Sequence, residues 1–185
     1  LKANYPDYDW RTEGRIKEYW NYYTLNDNLA GDVSWTLIEA MRVYPQSGAR
    51  EALARLGDFL ILAQMPDPQP AWAQQYNYQM QPIWARKFEP AAIASDESQE
   101  VIEALCLISS ALDEPKSLEP IPRALAYLKA SQLPNGKFPR FIELKTNKPL
   151  YMTKDYQLTY DDYDVPTHYG FIIGSKVEKL EKLYA

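Results

Sequence analysis

The 185-residue chain has very little cysteine and histidine, with one residue of each, Cys106 and His168. A single cysteine excludes an internal disulfide, and a single histidine excludes a multi-histidine metal site. Cys106 lies on an apolar helical pattern, which is typical of a small buried hydrophobic residue. His168, in the stretch PTHYGF, is more typical of a hydrogen-bonded structural residue than of a catalyst. Chemistry that depends on several histidines is therefore not predicted.

The chain also lacks a long apolar run and an excess of positive charge. No stretch of about 18 apolar residues is present, so no membrane span is predicted. The net charge of -5 disfavours nucleic acid and acidic membrane surfaces as partners. No signal peptide precedes Leu1, but an initiator methionine is absent too, and we expect the chain to be a processed or cut product.

Two pairs of helices are predicted from apolar residues at helical spacing. The first pair spans residues 28 to 64, with Asp27 and Asn28 offered as its cap and Pro45 ending its first helix. The second pair spans residues 95 to 131 and begins at Ser95. The turn within each pair is short, so each pair is interpreted as an antiparallel αα-hairpin.

Aromatic residues are concentrated between the helices. Residues 1–27, 66–94 and 132–172 hold 20 of the 25 aromatic side chains. Within the last segment, the alternation in FPRFIEL and LYMT predicts a β-hairpin with Arg140 and Lys154 at its far ends.

Helical hairpins whose loops return to one end build an α/α toroid. We therefore expect an all-α fold: an incomplete ring of helical hairpins with long aromatic loops and a small β-hairpin. Two hairpins do not close a ring. Residues 1–185 are accordingly predicted to form a single domain that is the C-terminal portion of a larger α/α toroid catalytic domain. A large apolar face of the first hairpin should lack a partner within the chain.

The segment QQYNYQMQPIWARKFEP, residues 74–90, indicates a class of ligand. Aromatic faces stack on the apolar faces of sugar rings, while Arg and Lys bind carboxylates. This combination favours an acidic sugar polymer. The same aromatic residues could instead form a satellite core beneath the loops.

Three stretches of the chain resemble polysaccharide lyase family 10, which comprises pectate lyases with an α/α toroid. They are QPIWARKFEPAAIASDESQEVI, FPRFIELKTNKPLYMTKD and YTLNDNLAGDV, and the resemblance covers residues 5 to 160 approximately. It implies a secreted or periplasmic enzyme that cleaves polygalacturonate by calcium-assisted β-elimination. An earlier helical block of the family, with an Asp-Asn pair at a helix start, has no counterpart here, which agrees with a missing N-terminal part of the domain.

The resemblance also implies roles for individual residues. Arg86, in WARKFE, matches the arginine that the family uses as catalytic base, and Asp27 matches an acidic residue at the calcium and substrate site. Arg140 and Lys154 match positions at which the family binds substrate. Asn28 and, from the stacking argument, Tyr76 and Trp84 are the other predicted substrate-binding residues. Lys154 falls where the family usually has arginine, so it keeps the charge but loses the bidentate fork.

Simpler interpretations compete with these roles, and other functions compete with a lyase. Asp27 could serve only as a helix cap, and Arg140 and Lys154 could be solvated charges at strand ends. A glycoside hydrolase would need two carboxylates across the cleft, such as Asp27 with Glu89 or Glu97. A non-catalytic fragment that binds acidic polysaccharides is the third possibility.

Overall fold

The computed structural model describes residues 1–13 and 15–185, and five α-helices organise them. The helices are α1 (Leu29–Val43), α2 (Ala49–Leu62), α3 (Ser95–Leu112), α4 (Ile121–Ala130) and α5 (Val177–Tyr184). Short 3-10 turns occupy Tyr19–Asn21, Asn26–Asn28 and Pro115–Leu118. The first four helices fall within the two predicted hairpin spans, and neither span contains a strand.

Helix α3 lies at the centre of the molecule. It packs against α1, α2, α4 and α5, and its buried residues include Val101, Ile102, Leu105 and Ile108. Burial of apolar side chains on this scale supplies the main driving force for folding. Among the described residues, no helix is long and apolar enough to cross a membrane.

Within the described part of the chain, eight short strands form small antiparallel sheets between the helices. They are β1 (Tyr23–Thr24), β2 (Gln75–Tyr76), β3 (Ile93–Ala94), β4 (Phe138–Pro139), β5 (Phe141–Ile142), β6 (Pro149–Met152), β7 (Leu158–Thr159) and β8 (Ile172–Ile173). Strand β1 pairs with β2, β4 pairs with β8, and β3-β5-β6-β7 form a four-stranded sheet. The pairing of β5 with β6 lies where the sequence predicts a hairpin.

The prediction of an all-α toroid is wrong. About 41% of the chain is helical and 12% is strand, distributed over several small sheets. The physical reason lies in the segments between the helices. Residues 71–76, 91–95 and 141–144 are all buried, and a buried backbone must satisfy its N–H and C=O groups. These segments do so by pairing with one another as strands.

Helix α1 leaves part of its apolar surface uncovered. Leu29, Val33, Trp35 and Val43 are all exposed in the structure. Of the predicted apolar face, Leu29 and Val33 are exposed, whereas Leu37 and Met41 pack against the core. A covering segment from a missing N-terminal part of the domain stays a prediction.

Candidate functional site

A tight turn at residues 84–89 fixes the backbone around Arg86. The N–H of Ala85 donates to the carbonyl of Glu89 (3.0 Å), and the N–H of Glu89 donates to the carbonyl of Arg86 (2.9 Å). The indole Nε1 of Trp84 donates to the same Arg86 carbonyl at 2.9 Å. The turn therefore holds Arg86 in one place while its side chain stays partly exposed.

Glu89 is the main partner of Arg86. The guanidinium forms a hydrogen-bonded ion pair with Glu89 Oε1, and the Arg86 N–H donates to Oε2 at 3.1 Å. Burial alone would raise the pKa of Glu89, but the hydrogen bonds from Arg86 outweigh burial and leave that pKa below its usual value. The hydrogen bond to Glu89 in turn raises the pKa of Arg86. Both groups are therefore charged in this arrangement.

Tyr169 joins this pair to Arg140. The guanidinium carbon of Arg86 lies 5.9 Å from the centre of the Tyr169 ring, and that of Arg140 lies 4.8 Å from it. The Tyr169 hydroxyl donates to Glu89 Oε1 at 3.3 Å. Arg86 and Arg140, which are 54 positions apart in the sequence, thus meet at one aromatic side chain. These two residues are called the arginine pair below.

The backbone of Arg140 stands where the chain passes from β4 to β5. Its N–H donates to the carbonyl of Phe171 (2.7 Å), and its carbonyl accepts from the N–H of Ser95 (2.8 Å), the first residue of α3. Its Nε donates to the carbonyl of Gly170 at 2.6 Å, and one terminal nitrogen lies 3.2 Å from Asp96 Oδ2. A guanidinium has five donors, so two contacts leave others for a ligand.

Asp27 and Asn28 occupy a sharp turn before α1. Both have left-handed backbone angles, with φ of 53° and 58°, which Asp and Asn tolerate better than most residues. Neither side chain caps the helix; instead the Asn28 N–H donates to Glu100 Oε2 at 3.0 Å. The Asn28 side chain packs where a Cβ at Gly31 would overlap it. A side chain at position 31 would therefore force the Asn28 amide to move.

The exposed Asp27 lines a cavity of about 300 Å³ next to the arginine pair. Glu89 lines the same cavity, together with Asp32, Trp20 and Leu29. Asp27 Oδ2 accepts a hydrogen bond from the Asn26 amide at 2.9 Å. Asp27 is also close enough to contribute to the raised pKa of Arg86. Glu89 therefore connects the cavity and the arginine pair, because its side chain lines the cavity and also pairs with Arg86.

The described residues supply only part of a calcium site. Asp27 and Asp32 offer the oxygen ligands that calcium prefers. Among residues 1–13 and 15–185, however, no group of three or more His, Cys, Asp or Glu side chains is gathered around one point. The residues present fit calcium only if a ligand such as an acidic sugar supplies further oxygens.

Lys154 forms an ion pair of its own at the surface. Its ammonium group contacts Asp164 Oδ1 at 3.0 Å, and both side chains are well exposed. An exposed ion pair of this kind contributes little to stability, so Lys154 is free to exchange partners. Its role in substrate binding stays a prediction.

Two of the predicted substrate-binding residues are placed in the interior. Tyr76 is fully buried, and Trp84 is 3% exposed with its ring covered by the guanidinium of Arg15 at 4.7 Å. Direct contact of Tyr76 with a polymer is therefore excluded, and the prediction for Tyr76 is wrong. Trp84 instead supports the Arg86 turn from beneath, so its predicted contact with substrate is wrong too. Both aromatics serve packing, the alternative left open from the sequence.

Replacing Tyr76 by phenylalanine should lower the free energy of unfolding without changing ligand binding. The Tyr76 hydroxyl donates to the Ala63 carbonyl and accepts from the Ala73 N–H, both at 2.7 Å. Leaving these buried groups unpaired costs about 1–3 kcal/mol. Urea unfolding would measure the loss, with Tyr163→Phe at a 91% exposed position as control. Weaker sugar binding at unchanged stability would contradict this structural role.

Sequence reasoning missed two residues of the arginine pair's surroundings. Glu89 entered only as a possible hydrolase carboxylate, although its position three residues after Arg86 indicates a local ion pair. Tyr169 was not singled out at all. It reaches the site only because β4 and β8 pair and bring the end of the chain beside Arg140. No local pattern in the sequence encodes that long-range contact.

The fold is similar to that of a family 10 polysaccharide lyase from Cellvibrio cellulosa. One structure of that lyase matches with a TM-score of 0.73 and 18% identity, covering 94% of this chain and 66% of its own. A mutant of it in complex with trigalacturonic acid matches with a TM-score of 0.72 and 17% identity, covering 92% of this chain and 64% of its own. The chain thus spans slightly less than two thirds of the length of these structures. The resemblance to family 10 is confirmed at the level of the fold.

Other comparisons give no further relatives. No protein-family model matches the chain, and no curated protein matches it by sequence.

Proposed function

We propose that the protein is a polysaccharide lyase that cleaves polygalacturonate by calcium-assisted β-elimination. The observation that carries the proposal is the meeting of Arg86 and Arg140 at the Tyr169 ring, beside a cavity lined by Asp27 and Glu89. Two guanidinium groups at one site suit a polymer with a carboxylate on every sugar. The similarity to a lyase fold solved with trigalacturonic acid supports the same substrate class.

The reaction removes the C5 proton of a uronate and breaks the C4–O bond, leaving a double bond between C4 and C5. The C5 proton becomes acidic enough only when charge building up on the adjacent carboxylate is stabilised. Arg140 supplies a positive charge for that carboxylate, and Arg86 takes the C5 proton. The leaving oxygen receives its proton from water.

The ion pair with Glu89 opposes the role of Arg86 as base. Arginine is ordinarily always protonated, and Glu89 raises the pKa of Arg86 further. Asp27 adds to this effect. A base role therefore requires that substrate binding draws Glu89 away from Arg86 or that positive charge accumulates nearby. The rate should then rise with pH into the alkaline range, because only neutral Arg86 accepts the proton.

Calcium, when bound, would neutralise substrate carboxylates and so help to acidify the C5 proton. Asp27 would hold it from the cavity wall, with Asp32 close by and substrate oxygens completing the ligand set. The protein alone should bind calcium weakly, because it offers so few carboxylates at that point.

Replacing Asp27 by alanine is expected to raise the calcium concentration needed for half-maximal activity at least about tenfold, equal to about 1.4 kcal/mol. Titration of calcium into protein with trigalacturonic acid, followed by calorimetry, measures the same change without turnover. Asp113→Ala is a matched control because Asp113 is also exposed and left-handed, with φ of 57°. Activity that survives excess chelator, or unchanged Asp27→Ala kinetics, would rule out the calcium role.

The two alternatives differ from a lyase in their products. A rise in absorbance near 235 nm on polygalacturonate marks unsaturated products and a lyase. New reducing ends without that absorbance would mark a glycoside hydrolase, and binding without turnover a non-catalytic module. The hydrolase needs two carboxylates facing one cleft, but Glu89 is engaged by Arg86 and Glu97 is 2% exposed.

A further inference from the structure

Tyr169 touches each of the three charged groups at the centre of the site. Both arginine guanidinium carbons lie within 6 Å of its ring centre, at 5.9 and 4.8 Å, and its hydroxyl donates to Glu89. We infer that Tyr169 is a positioning residue, which sets the separation and orientation of Arg86 and Arg140 for a carboxylated sugar. The inference rests on the proposed lyase function.

The Tyr169 ring interacts favourably with both positively charged guanidinium groups. Guanidinium groups repel one another, and the repulsion grows as water is excluded. The face of an aromatic ring attracts a cation within about 6 Å of its centre. Contact with Tyr169 therefore offsets part of the cost of holding Arg86 and Arg140 together before a substrate arrives.

The hydroxyl of Tyr169 controls how strongly Glu89 holds Arg86. Glu89 Oε1 accepts from both the tyrosine and the arginine. Burial raises the pKa of Tyr169, so the hydroxyl stays protonated and keeps donating even in alkaline assays. The hydrogen bond from Tyr169 thereby competes with the one from Arg86 for the same Glu89 oxygen. Without the hydroxyl, Glu89 would bind Arg86 more tightly and the neutral form of Arg86 would become rarer.

The ring is held in place by other aromatic side chains. Its centre lies 4.6 Å from that of Phe88, 5.3 Å from that of Phe171 and 6.3 Å from that of Phe141, to which it is nearly parallel. Phe88 belongs to the Arg86 turn, whereas Phe141 follows Arg140 in β5. The ring therefore links the two segments that carry the arginines, and its position is fixed independently of a substrate.

Two variants separate the hydroxyl from the ring. Tyr169→Phe keeps the ring, so the dissociation constant for trigalacturonic acid should stay within about threefold while kcat falls about tenfold. Its pH–rate profile should move to higher pH. Tyr169→Leu removes the ring as well, and binding of trigalacturonic acid should also weaken about tenfold. Tyr127→Phe is the matched control, because the Tyr127 hydroxyl donates to Asn147 Oδ1 at 2.8 Å away from the site.

A spectroscopic measurement keeps the test independent of turnover. In ¹⁵N spectra of the arginine Nε–H groups, Tyr169→Leu should shift the resonances of both Arg86 and Arg140 and speed their exchange with water, whereas Tyr127→Phe should leave both unchanged. Unchanged arginine resonances in Tyr169→Leu would overturn the positioning role, whatever the activity. Equal losses of thermal stability in all three variants with unaltered kinetics would overturn it too. Failure of the proposed function looks different: the wild-type protein would neither bind trigalacturonic acid nor produce unsaturated products.

Discussion

Replacing Arg86 by alanine is expected to lower turnover of polygalacturonate by about 10²- to 10⁴-fold, the usual contribution of a general base. Substrate binding should be largely retained, because Arg140 remains to hold the carboxylate. The measurement is a pH–rate profile from absorbance near 235 nm, with KM and kcat separated. A variant within about tenfold of wild type, a barrier change of about 1.4 kcal/mol, would end the hypothesis that Arg86 takes the proton.

Two further variants distinguish a base from a fixed positive charge. Lysine loses its proton more easily than arginine, so Arg86→Lys should shift the pH–rate profile to lower pH if residue 86 is the base. An unshifted profile with substantial activity would mean that only the charge is needed. Glu89→Gln removes the ion pair that raises the pKa of Arg86. It should raise the rate at a given pH if Arg86 is the base, and lower it if Arg86 must stay charged.

Arg86→Ala also leaves Glu89 buried without its main partner, since Glu89 is 2% exposed. Loss of a partner for a buried charge destabilises a protein, so lower activity could reflect partial unfolding. The double variant Arg86→Ala, Glu89→Gln removes both charges and serves as the control. It should recover stability in urea unfolding but not turnover. Recovery of turnover as well would show that the single variant had failed through misfolding.

The sequence predicted the helices well and the connecting segments poorly, for a physical reason. Apolar periodicity is a local property, so the spans containing α1, α2, α3 and α4 could be identified from it. Strands of two residues have almost no local pattern. They form here because buried segments distant in sequence, such as Ile93 and Ile142, find one another in the folded chain. An all-α class was therefore predicted although the helices were placed correctly.

In the candidate site, too, some residues could be predicted from the sequence and others could not. Arg86, Arg140 and Asp27 were identified by their resemblance to family motifs, and the structure brings the two arginines to one ring. Tyr76 lies in the same aromatic-rich segment as Arg86, yet only its three-dimensional position shows that it faces the core. Burial decides whether an aromatic side chain can meet a sugar. The composition of an aromatic-rich segment between helices does not show which of its side chains are buried.

Glu97 introduces an expected dependence of stability on pH. It lies on α3, is 2% exposed, and its Oε2 atom has no hydrogen-bond partner. Burial raises the pKa of Glu97 from 4.5 to about 8, while nearby Arg140 opposes the rise and Asp96 and Glu100 add to it. Between those two values the folded protein holds a proton that the unfolded chain releases.

The free energy of unfolding should therefore fall as pH rises from about 4.5 to 8, by up to about 1.4 kcal/mol per pH unit from this group alone. Glu97→Gln replaces the carboxyl with a neutral amide of similar shape and should remove that slope. The variant should match wild type near pH 4.5 and be more stable near pH 8. Urea unfolding across this range measures both, with Glu103→Gln as control, because Glu103 lies on the same helix and pairs with Lys179 at the surface. Equal slopes in wild type and Glu97→Gln would mean that Glu97 is ionised in the folded protein, with Arg140 compensating its charge.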